Sequence, residues 1–252
     1  MGIKKRGKVK SNSSKKDKII TKTINRKYLI LDLDQTLLHS YTPNEYKKKK
    51  KKIEEYTYKK MLDNKREVLY YVVKRPGLDN FIKRMLKKYI VLIWTAATQS
   101  YGEWVVHNIL HKKIKEQKFI RNNISNGEYY LLLHNDHGDK AQEKMKMKKI
   151  GNRSSKPLEY MYNHPSYKKY LNKYNTVLID DALHVKKNQI SNVININEFH
   201  VGDVFDNMFT KKIGNKYTFD EKIDKKFNRL KNDEKIDKKF NLLKNKKKKK
   251  KK

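Results

Sequence analysis

Three short apolar runs, each followed at once by an acidic or hydroxyl residue, constrain the fold of this chain most strongly. The runs and the residues after them are Tyr28–Leu31 with Asp32, Ile90–Trp94 with Thr95, and residues 176–179 with Asp180 and Asp181. Runs of this length without polar interruption are typical of strands buried on both faces of a parallel sheet. Helical patterns lie between them, so the order predicts an α/β fold: a Rossmann-like parallel sheet with helices on both faces.

The segments between these runs differ in how clearly they predict structure. One segment has apolar residues at the spacing of an amphipathic helix, at Leu78, Phe81, Ile82, Met85 and Leu86. Residues 41–68 are hydrophilic and predict a loop, and a short strand is predicted to follow it. Residues 112–155 are polar and irregular. The sequence therefore predicts a sheet with small insertions and no large cap domain.

The residues that follow the apolar runs predict one site. In an open parallel sheet, ligands bind at the carboxyl ends of the strands, so these side chains should converge. Asp32 and Asp34 alternate along an extended segment and point to the same side. Two carboxylates at such a short distance repel one another unless a cation lies between them. Mg²⁺ prefers hard oxygen ligands, and Asp32, a backbone carbonyl near Asp34, and Asp181 could supply them.

This arrangement suits phosphoryl transfer. Asp32 would attack the phosphorus in line and form an aspartyl-phosphate, while Asp34 would protonate the leaving oxygen and then activate water. Thr95 would donate a hydrogen bond to the phosphoryl oxygens, and a lysine would add positive charge. Acidic residues after a strand can also serve only as turn or helix caps. The recurrence of such residues after three strands favours the site.

The motifs in combination resemble those of the haloacid dehalogenase superfamily. They are most similar to the branch of RNA polymerase II C-terminal-domain phosphatases (FCP/SCP or NIF-like). Four segments carry the resemblance: Leu-Asp-Leu-Asp-Gln-Thr-Leu-Leu-His-Ser at 31–40, Lys-Arg-Pro-Gly at 74–77, Ile-Trp-Thr-Ala-Ala at 93–97, and Leu-Ile-Asp-Asp at 178–181. Residues 192–196 resemble the segment after the last motif, and the similarity extends over residues 26–203.

The resemblance implies a magnesium-dependent protein serine/threonine phosphatase. It makes Asp32 the nucleophile, Asp34 the acid/base and Thr95 a phosphate ligand. It makes Asp181 a metal ligand, with Asp180 as the alternative. A third-motif lysine is also implied, and Lys156 is chosen because the family pattern there reads lysine, any residue, leucine. The other candidates for that lysine are Lys149, Lys168 and Lys169.

The size of the insertions bears on the substrate. Residues 41–68 and 112–155 are too short to form a large cap domain, so an open site would admit a phosphorylated protein segment. Two other functions remain open. The lysine runs favour a nucleic-acid end phosphatase of the same fold, and a catalytically inactive basic binding protein would keep the fold without the chemistry.

The net charge of +36 lies mainly in three segments, residues 1–22, 41–60 and 211–252. We predict a disordered basic arm over 1–22, a phosphatase domain over 23–210 and a basic tail over 211–252. The arm and the tail would contact nucleic acid or other polyanions without reading sequence. The tail holds two 13-residue repeats and a terminal lysine run. The repeats could form a helix that docks on the domain, but a mostly solvated helix is favoured.

The remaining features concern location. The chain has no cysteine, so a disulfide framework and a thiol nucleophile are both excluded. It shows neither a signal-peptide pattern nor an apolar run of the ~18 residues that a membrane span needs. We therefore expect an intracellular monomer without membrane contact, with the nucleus possible because of the lysines in the arm. Frequent Lys, Asn, Ile and Tyr, which have AT-rich codons, suggest a large DNA virus with an AT-rich genome.

Overall fold

The computed structural model describes residues 26–47, 56–61, 67–110, 114, 132–133, 135–144, 156–187, 189–200 and 206–249. The strands are β1 Tyr28–Leu31, β2 Leu38–Tyr41, β3 Tyr56–Met61, β4 Glu67–Lys74, β5 Ile90–Trp94, β6 Leu132–Leu133, β7 Thr176–Asp180, β8 Val193–Asn195, β9 Lys212–Ile213 and β10 Lys216–Tyr217. The helices are α1 Pro43–Lys47, α2 Leu78–Lys88, α3 Gln99–Asn108, α4 Asn135–Lys144, α5 Leu158–Asn163, α6 Leu183–Lys187 and α7 Thr218–Lys249.

The central sheet is parallel and has the order β6-β5-β1-β7-β8. Its middle strand is β1, in which Leu31 pairs with Ile93 of β5 on one side and with Ile179 of β7 on the other. All four residues of β1 are fully buried. The predicted α/β fold is confirmed, because the three apolar runs form the three central strands.

Helices cover both faces of this sheet, and the alternation of side chains along β1 divides the core between them. Leu29 and Leu31 pack on the face covered by α2, α3 and α7. Tyr28 and Ile30 pack on the opposite face, where α5 lies. The amphipathic pattern predicted for α2 is also confirmed, since Leu78, Phe81, Ile82 and Met85 are buried.

A smaller antiparallel sheet of order β2-β4-β3 follows β1 in the chain. The prediction of a loop over residues 41–68 is wrong in part, because β3 pairs with β4 along its whole length from Tyr56 to Met61. The segment was missed because its lysines lower its apolar content, although Tyr and Thr favour strands. The lysines from residue 48 to 52 lie outside the described residues, and so does the predicted arm over 1–22.

Helix α7 contains both copies of the repeat, and the two copies lie in different surroundings. In the first copy Ile223, Phe227 and Leu230 are buried in the core with α2. In the second copy the corresponding Ile236 and Phe240 are 65% and 57% exposed. The favoured interpretation, a mostly solvated helix, is therefore wrong for the first copy. None of the helices in the described part is both long and apolar enough to cross a membrane. The division of the chain at residues 22 and 210 stays a prediction.

The repeat period explains why the copies differ. Each helical residue advances about 100°, so thirteen residues turn the second apolar stripe by about 220° relative to the first. The second stripe therefore faces away from the domain. Polar contacts still hold both copies: Asp224 accepts a hydrogen bond from Lys88 at 2.7 Å, and Asp237 accepts one from Lys173 at 3.1 Å. Because these lysines precede β5 and β7, this part of α7 lies near the amino-terminal edge of the sheet. Lys222, near the start of α7, instead lines a pocket with Asn195 and Ile196 at the carboxyl end of β8.

The turn before α2 supports a testable prediction about stability. Gly77 has φ +78°, and a Cβ there would lie 2.5 Å from Cγ2 of Thr210. We expect Gly77→Ala to lower the free energy of unfolding by about 1–2 kcal/mol for the left-handed backbone. The steric clash should add about 1–3 kcal/mol. Chemical denaturation of both proteins measures the difference.

Gly214 provides the matched control for this substitution. Its φ is +57°, and no atom lies within 4 Å of the position that a Cβ would take. Gly214→Ala should therefore cost only the backbone contribution. Equal losses for the two substitutions would contradict a steric role for Gly77.

Candidate active site

The register of the central sheet brings the predicted acidic residues together. Leu31 pairs with Ile179, so the next residues, Asp32 and Asp180, lie side by side where the strands end. The backbone N–H of Asp32 donates to the carbonyl of Ile179 at 3.1 Å, which holds the two strands in register at this point. Carboxylate oxygens of Asp32, Asp180 and Asp181 lie within 4.8 Å of one another, and all three residues are buried.

Lys156 joins this cluster from the start of α5. Its Nζ lies 2.5 Å from Oδ1 of Asp32 and 2.8 Å from Oδ2 of Asp180. The contact follows from the alternation along the strands, since Asp32 and Asp180 continue the face that Ile30 and Leu178 present to α5. The other candidate lysines do not reach the cluster in the described part: Lys168 and Lys169 are exposed, and Lys149 lies outside the described residues.

The charges of the cluster depend on one another. Burial raises the pKa of Asp32 well above its ordinary value, Lys156 opposes the rise, and Asp180 adds to it. Burial also raises the pKa of Asp181, with the charge of Asp180 contributing. Burial alone would lower the pKa of Lys156, but the two carboxylates outweigh it and raise that pKa above its ordinary value. A single lysine thus faces three buried carboxyl groups and cannot balance all three in their ionised form.

This donor set fits a small divalent cation, because hard carboxylate oxygens in a compact buried group are what Mg²⁺ binds. The two adjacent carboxylates have different partners. Both oxygens of Asp180 accept hydrogen bonds, one from Lys156 and one from the backbone N–H of Ala182 at 2.8 Å. Asp181 accepts from Oγ1 of Thr36 at 2.8 Å. Metal binding by Asp181, or by Asp180 as the alternative, stays a prediction.

Asp34 has a different environment from the three clustered carboxylates. Its Oδ1 accepts a hydrogen bond from the hydroxyl of Tyr101 at 2.6 Å and another from Oγ of Ser40 at 3.1 Å. Burial raises the pKa of Asp34, while these two hydrogen bonds oppose the rise. The side chain of Asp34 is not part of the three-carboxylate group found among the described residues. Metal binding through its backbone carbonyl stays a prediction.

One small cavity of about 150 Å³ unites the predicted site residues. It is lined by Asp32, Asp34, Thr95, Lys156, Asp180 and Asp181, together with Gln35, Ala96, Ala182, His184 and Val185. Gln35 has φ +60°, so the chain turns sharply after Asp34 through a backbone conformation that favours glycine. Thr95 is buried at the end of β5, and its Oγ1 accepts from the backbone N–H of Ala97 at 3.0 Å.

Sequence reasoning missed three residues that hold the acidic groups in place. Thr36 links Asp181 to Asp32, with its Oγ1 at 3.4 Å from Oδ2 of Asp32. Ser40 and Tyr101 bind Asp34. The spacing could have indicated Thr36, because it follows Asp34 by two residues in the same turn. No spacing indicated Tyr101, which lies 67 positions from Asp34 in the chain.

The fold and the site together define the class of this protein. An acidic cluster with a buried lysine, at the carboxyl edge of a parallel sheet with helices on both faces, is the arrangement of a haloacid dehalogenase-like phosphatase. The family model of the NLI interacting factor-like phosphatases matches residues 27–228. The chain belongs to this family, as the motifs predicted.

Proteins of viruses and of eukaryotes are similar to this chain in sequence. A CTD phosphatase-like protein of Invertebrate iridescent virus 6 is 27% identical over 176 residues, which are 69% of this chain and 86% of that protein. Nuclear envelope morphology protein 1 of Schizosaccharomyces pombe is 29% identical over 41% of this chain and 21% of that protein. CTD nuclear envelope phosphatase 1B of Danio rerio is 28% identical over 46% and 49%. The chain thus spans less than half the length of these two eukaryotic relatives.

Among solved structures, the fission yeast RNA polymerase II CTD phosphatase Fcp1 bound to beryllium fluoride aligns with a TM-score of 0.49 and 19% identity. The alignment covers 90% of this chain and 57% of that one.

Proposed function

We propose that this chain is a magnesium-dependent phosphatase that acts through an aspartyl-phosphate on Asp32, with phosphoserine or phosphothreonine in protein segments as substrate. The observation that carries the proposal is the cavity in which Asp32, Asp34, Thr95, Lys156 and Asp181 meet. These side chains come from distant parts of the chain, and each has a use in phosphoryl transfer. A binding protein would not need the complete set.

The proposed reaction has two steps. In the first, a carboxylate oxygen of Asp32 forms a bond to phosphorus while the bond from phosphorus to the ester oxygen breaks. The electron pair stays on the ester oxygen, which takes a proton from Asp34 and leaves as an alcohol. In the second, Asp34 takes a proton from water as the water oxygen attacks phosphorus. The bond to Asp32 breaks, and Asp32 and inorganic phosphate are released.

The other residues support the charge that develops during transfer. Lys156 contacts Asp32 at 2.5 Å, and its positive charge would also stabilise the phosphoryl oxygens during transfer. Thr95 would donate its hydroxyl to the same group. Asp32 and Asp181 would hold Mg²⁺, which supplies charge neutralisation for the phosphoryl group when bound. Asp180 would orient Lys156, whose Nζ donates to its Oδ2 at 2.8 Å.

The relatives support a protein substrate. The names of the viral and Danio rerio relatives describe them as CTD phosphatases or similar proteins, and the chain covers 86% of the viral one. The viral relative also supports a viral origin, and a nuclear location stays a prediction.

The substrate and the metal can be tested together. We expect the purified chain to release phosphate from a phosphoserine peptide when Mg²⁺ is present. Removal of the metal with EDTA should lower the rate at least about 10²-fold, because the clustered carboxylates then lack their counter-charge. A 3′-phosphorylated oligonucleotide should react at least about 10-fold more slowly than the peptide. Faster turnover of the oligonucleotide would favour the nucleic-acid alternative, and no turnover of either would contradict the proposed function.

A further inference from the structure

The second copy of the repeat leaves an apolar stripe on the surface of α7. Ile236, Phe240 and Leu243 have the spacing i, i+4 and i+7, so they lie on one side of the helix. Each of them is between 50% and 65% exposed. The stripe is turned by about 220° from the buried stripe of the first copy, so it faces away from the domain. Large apolar side chains grouped in this way on a surface are typical of a site of interaction.

Positive charges border this apolar stripe. Lys239 and Lys244 are exposed, and the helical geometry places them on its two sides. Nζ of Lys244 lies 4.7 Å from the centre of the Phe240 ring, so the charge stands directly beside the apolar surface. Asp233 adds one negative charge at the start of the stripe, but the sequence continues after it with seven lysines, residues 246–252. The stripe is therefore the apolar part of a strongly basic segment.

The opposite side of the same helical segment is engaged in ion pairs. Glu234 pairs with Lys238 at 2.7 Å, four residues further along the helix. Asp237 pairs with Lys173 of the domain at 3.1 Å. Only one side of this segment thus offers apolar contacts, and that side faces outward. A flat surface can reach it without displacing the helix from the domain.

The combination of apolar and basic residues on an outward side favours an anionic lipid bilayer as the partner. In a helix that lies on a bilayer, apolar side chains enter the boundary of the acyl chains and lysines pair with anionic headgroups. Nucleic acid would pair with the lysines but leave the stripe in water. A second copy of the chain would bring the same lysines against one another. A surface helix does not need the length and apolar content of a membrane span, and no helix in the described part has them.

We propose that the second half of α7 binds the surface of an anionic phospholipid bilayer, with Ile236, Phe240 and Leu243 inserted at the boundary of the acyl chains. This proposal differs from the expectation of no membrane contact, which was drawn from the lack of a signal peptide and of a spanning run. It does not depend on the proposed function, because none of these three residues lines the candidate site.

Binding of the full chain to vesicles tests the proposal. The vesicles are phosphatidylcholine with about 30% phosphatidylserine, and bound protein is measured by sedimentation at about 0.15 M salt. Phe240→Ser changes no charge but removes an inserted ring, so the apparent affinity should fall about 10-fold. Ile213→Ser is the matched control: Ile213 is 72% exposed but lies on β9, and its substitution should leave the affinity within about twofold.

A second measurement reports insertion directly, because lysines alone can adsorb a basic protein to anionic vesicles. Phe240→Trp introduces a fluorescent side chain into the stripe, and Ile213→Trp introduces one at the control position. Vesicles with brominated acyl chains should quench the tryptophan at 240 and not the one at 213. The unsubstituted protein gives the contribution of Trp94 and Trp104, which is subtracted. Circular dichroism of each variant confirms that it is folded.

The outcomes decide between insertion and adsorption by charge alone. A selective loss for Phe240→Ser, together with quenching at position 240, supports the proposal. Vesicle binding that Phe240→Ser leaves unchanged, or the absence of quenching, would overturn it. A DNA duplex of about 20 base pairs is the comparison for contact through lysines, and Phe240→Ser should not weaken its binding. An equal loss on DNA and on vesicles would also overturn insertion, and a chain that fails to bind vesicles but hydrolyses a phosphoserine peptide would leave the proposed function standing.

Discussion

Asp32→Asn should reduce the phosphatase activity of this chain at least about 10³-fold, because it removes the carboxylate that we propose attacks the phosphoryl group. The asparagine has nearly the same shape, so the substitution changes the chemistry more than the packing. Lys156 keeps its contact with Asp180 at 2.8 Å, so the buried lysine retains a carboxylate partner. The measurement is the initial rate on a phosphoserine peptide with saturating Mg²⁺.

Asp79→Asn is the matched control for this substitution. Asp79 lies in the first turn of α2, where its half-exposed carboxylate pairs with Lys74 at 2.6 Å. Surface pairs of this kind contribute about 0–1 kcal/mol to stability, and Asp79 does not line the cavity. Its substitution should leave the activity unchanged. If Asp32→Asn kept more than a tenth of the wild-type rate while remaining folded, the aspartyl-phosphate mechanism would be abandoned.

Phe227→Ala should lower the free energy of unfolding by about 3–5 kcal/mol, the range for truncation of a buried phenylalanine. Phe227 is 1% exposed, and its ring stacks on that of Tyr89 at a centroid distance of 4.8 Å. The substitution would leave a cavity between α7 and the sheet. Chemical denaturation followed by circular dichroism measures the change in midpoint and slope.

The repeat supplies an internal control with the same local sequence. Phe240 stands in the second copy within the same eight residues, Glu-Lys-Ile-Asp-Lys-Lys-Phe-Asn, but is 57% exposed. Phe240→Ala should change stability by less than about 0.5 kcal/mol. Because the eight residues around each phenylalanine are the same, the difference between the two variants reports mainly packing. Similar losses at both positions would show that α7 does not pack on the domain as described.

Much of the fold and of the site could be predicted because the signals are local. The apolar runs at β1, β5 and β7 have the length and composition of buried strands, and parallel pairing brings their carboxyl ends to one edge. This reasoning predicted that Asp32, Thr95 and Asp181 lie close together at that edge of the sheet. The choice of Lys156 came from the family pattern, and the structure places that lysine on the cluster. Its catalytic role, like the roles of the other site residues, remains a proposal.

Other features depended on contacts between distant parts of the chain. Pairing with β4 makes residues 56–61 a strand, although their two lysines lower the apolar content of the segment. Tyr101 reaches Asp34 only because α3 folds over the end of β1, and Thr36 links two carboxylates that are 149 positions apart in the chain. Hydrogen bonds of this kind leave no periodic trace in the sequence, since a single hydroxyl at one position is enough.

The repeat shows most clearly what the sequence by itself determined and what only the tertiary structure decided. The sequence determined that both copies can form a helix with one apolar stripe, because helix formation and amphipathicity depend on neighbouring residues. It did not determine which stripe would be buried, since the two copies are identical over eight residues. The rest of the domain decided this: in the described part, an apolar surface lies beside α2, and the turn of the helix over thirteen residues lets the first stripe face it but not the second.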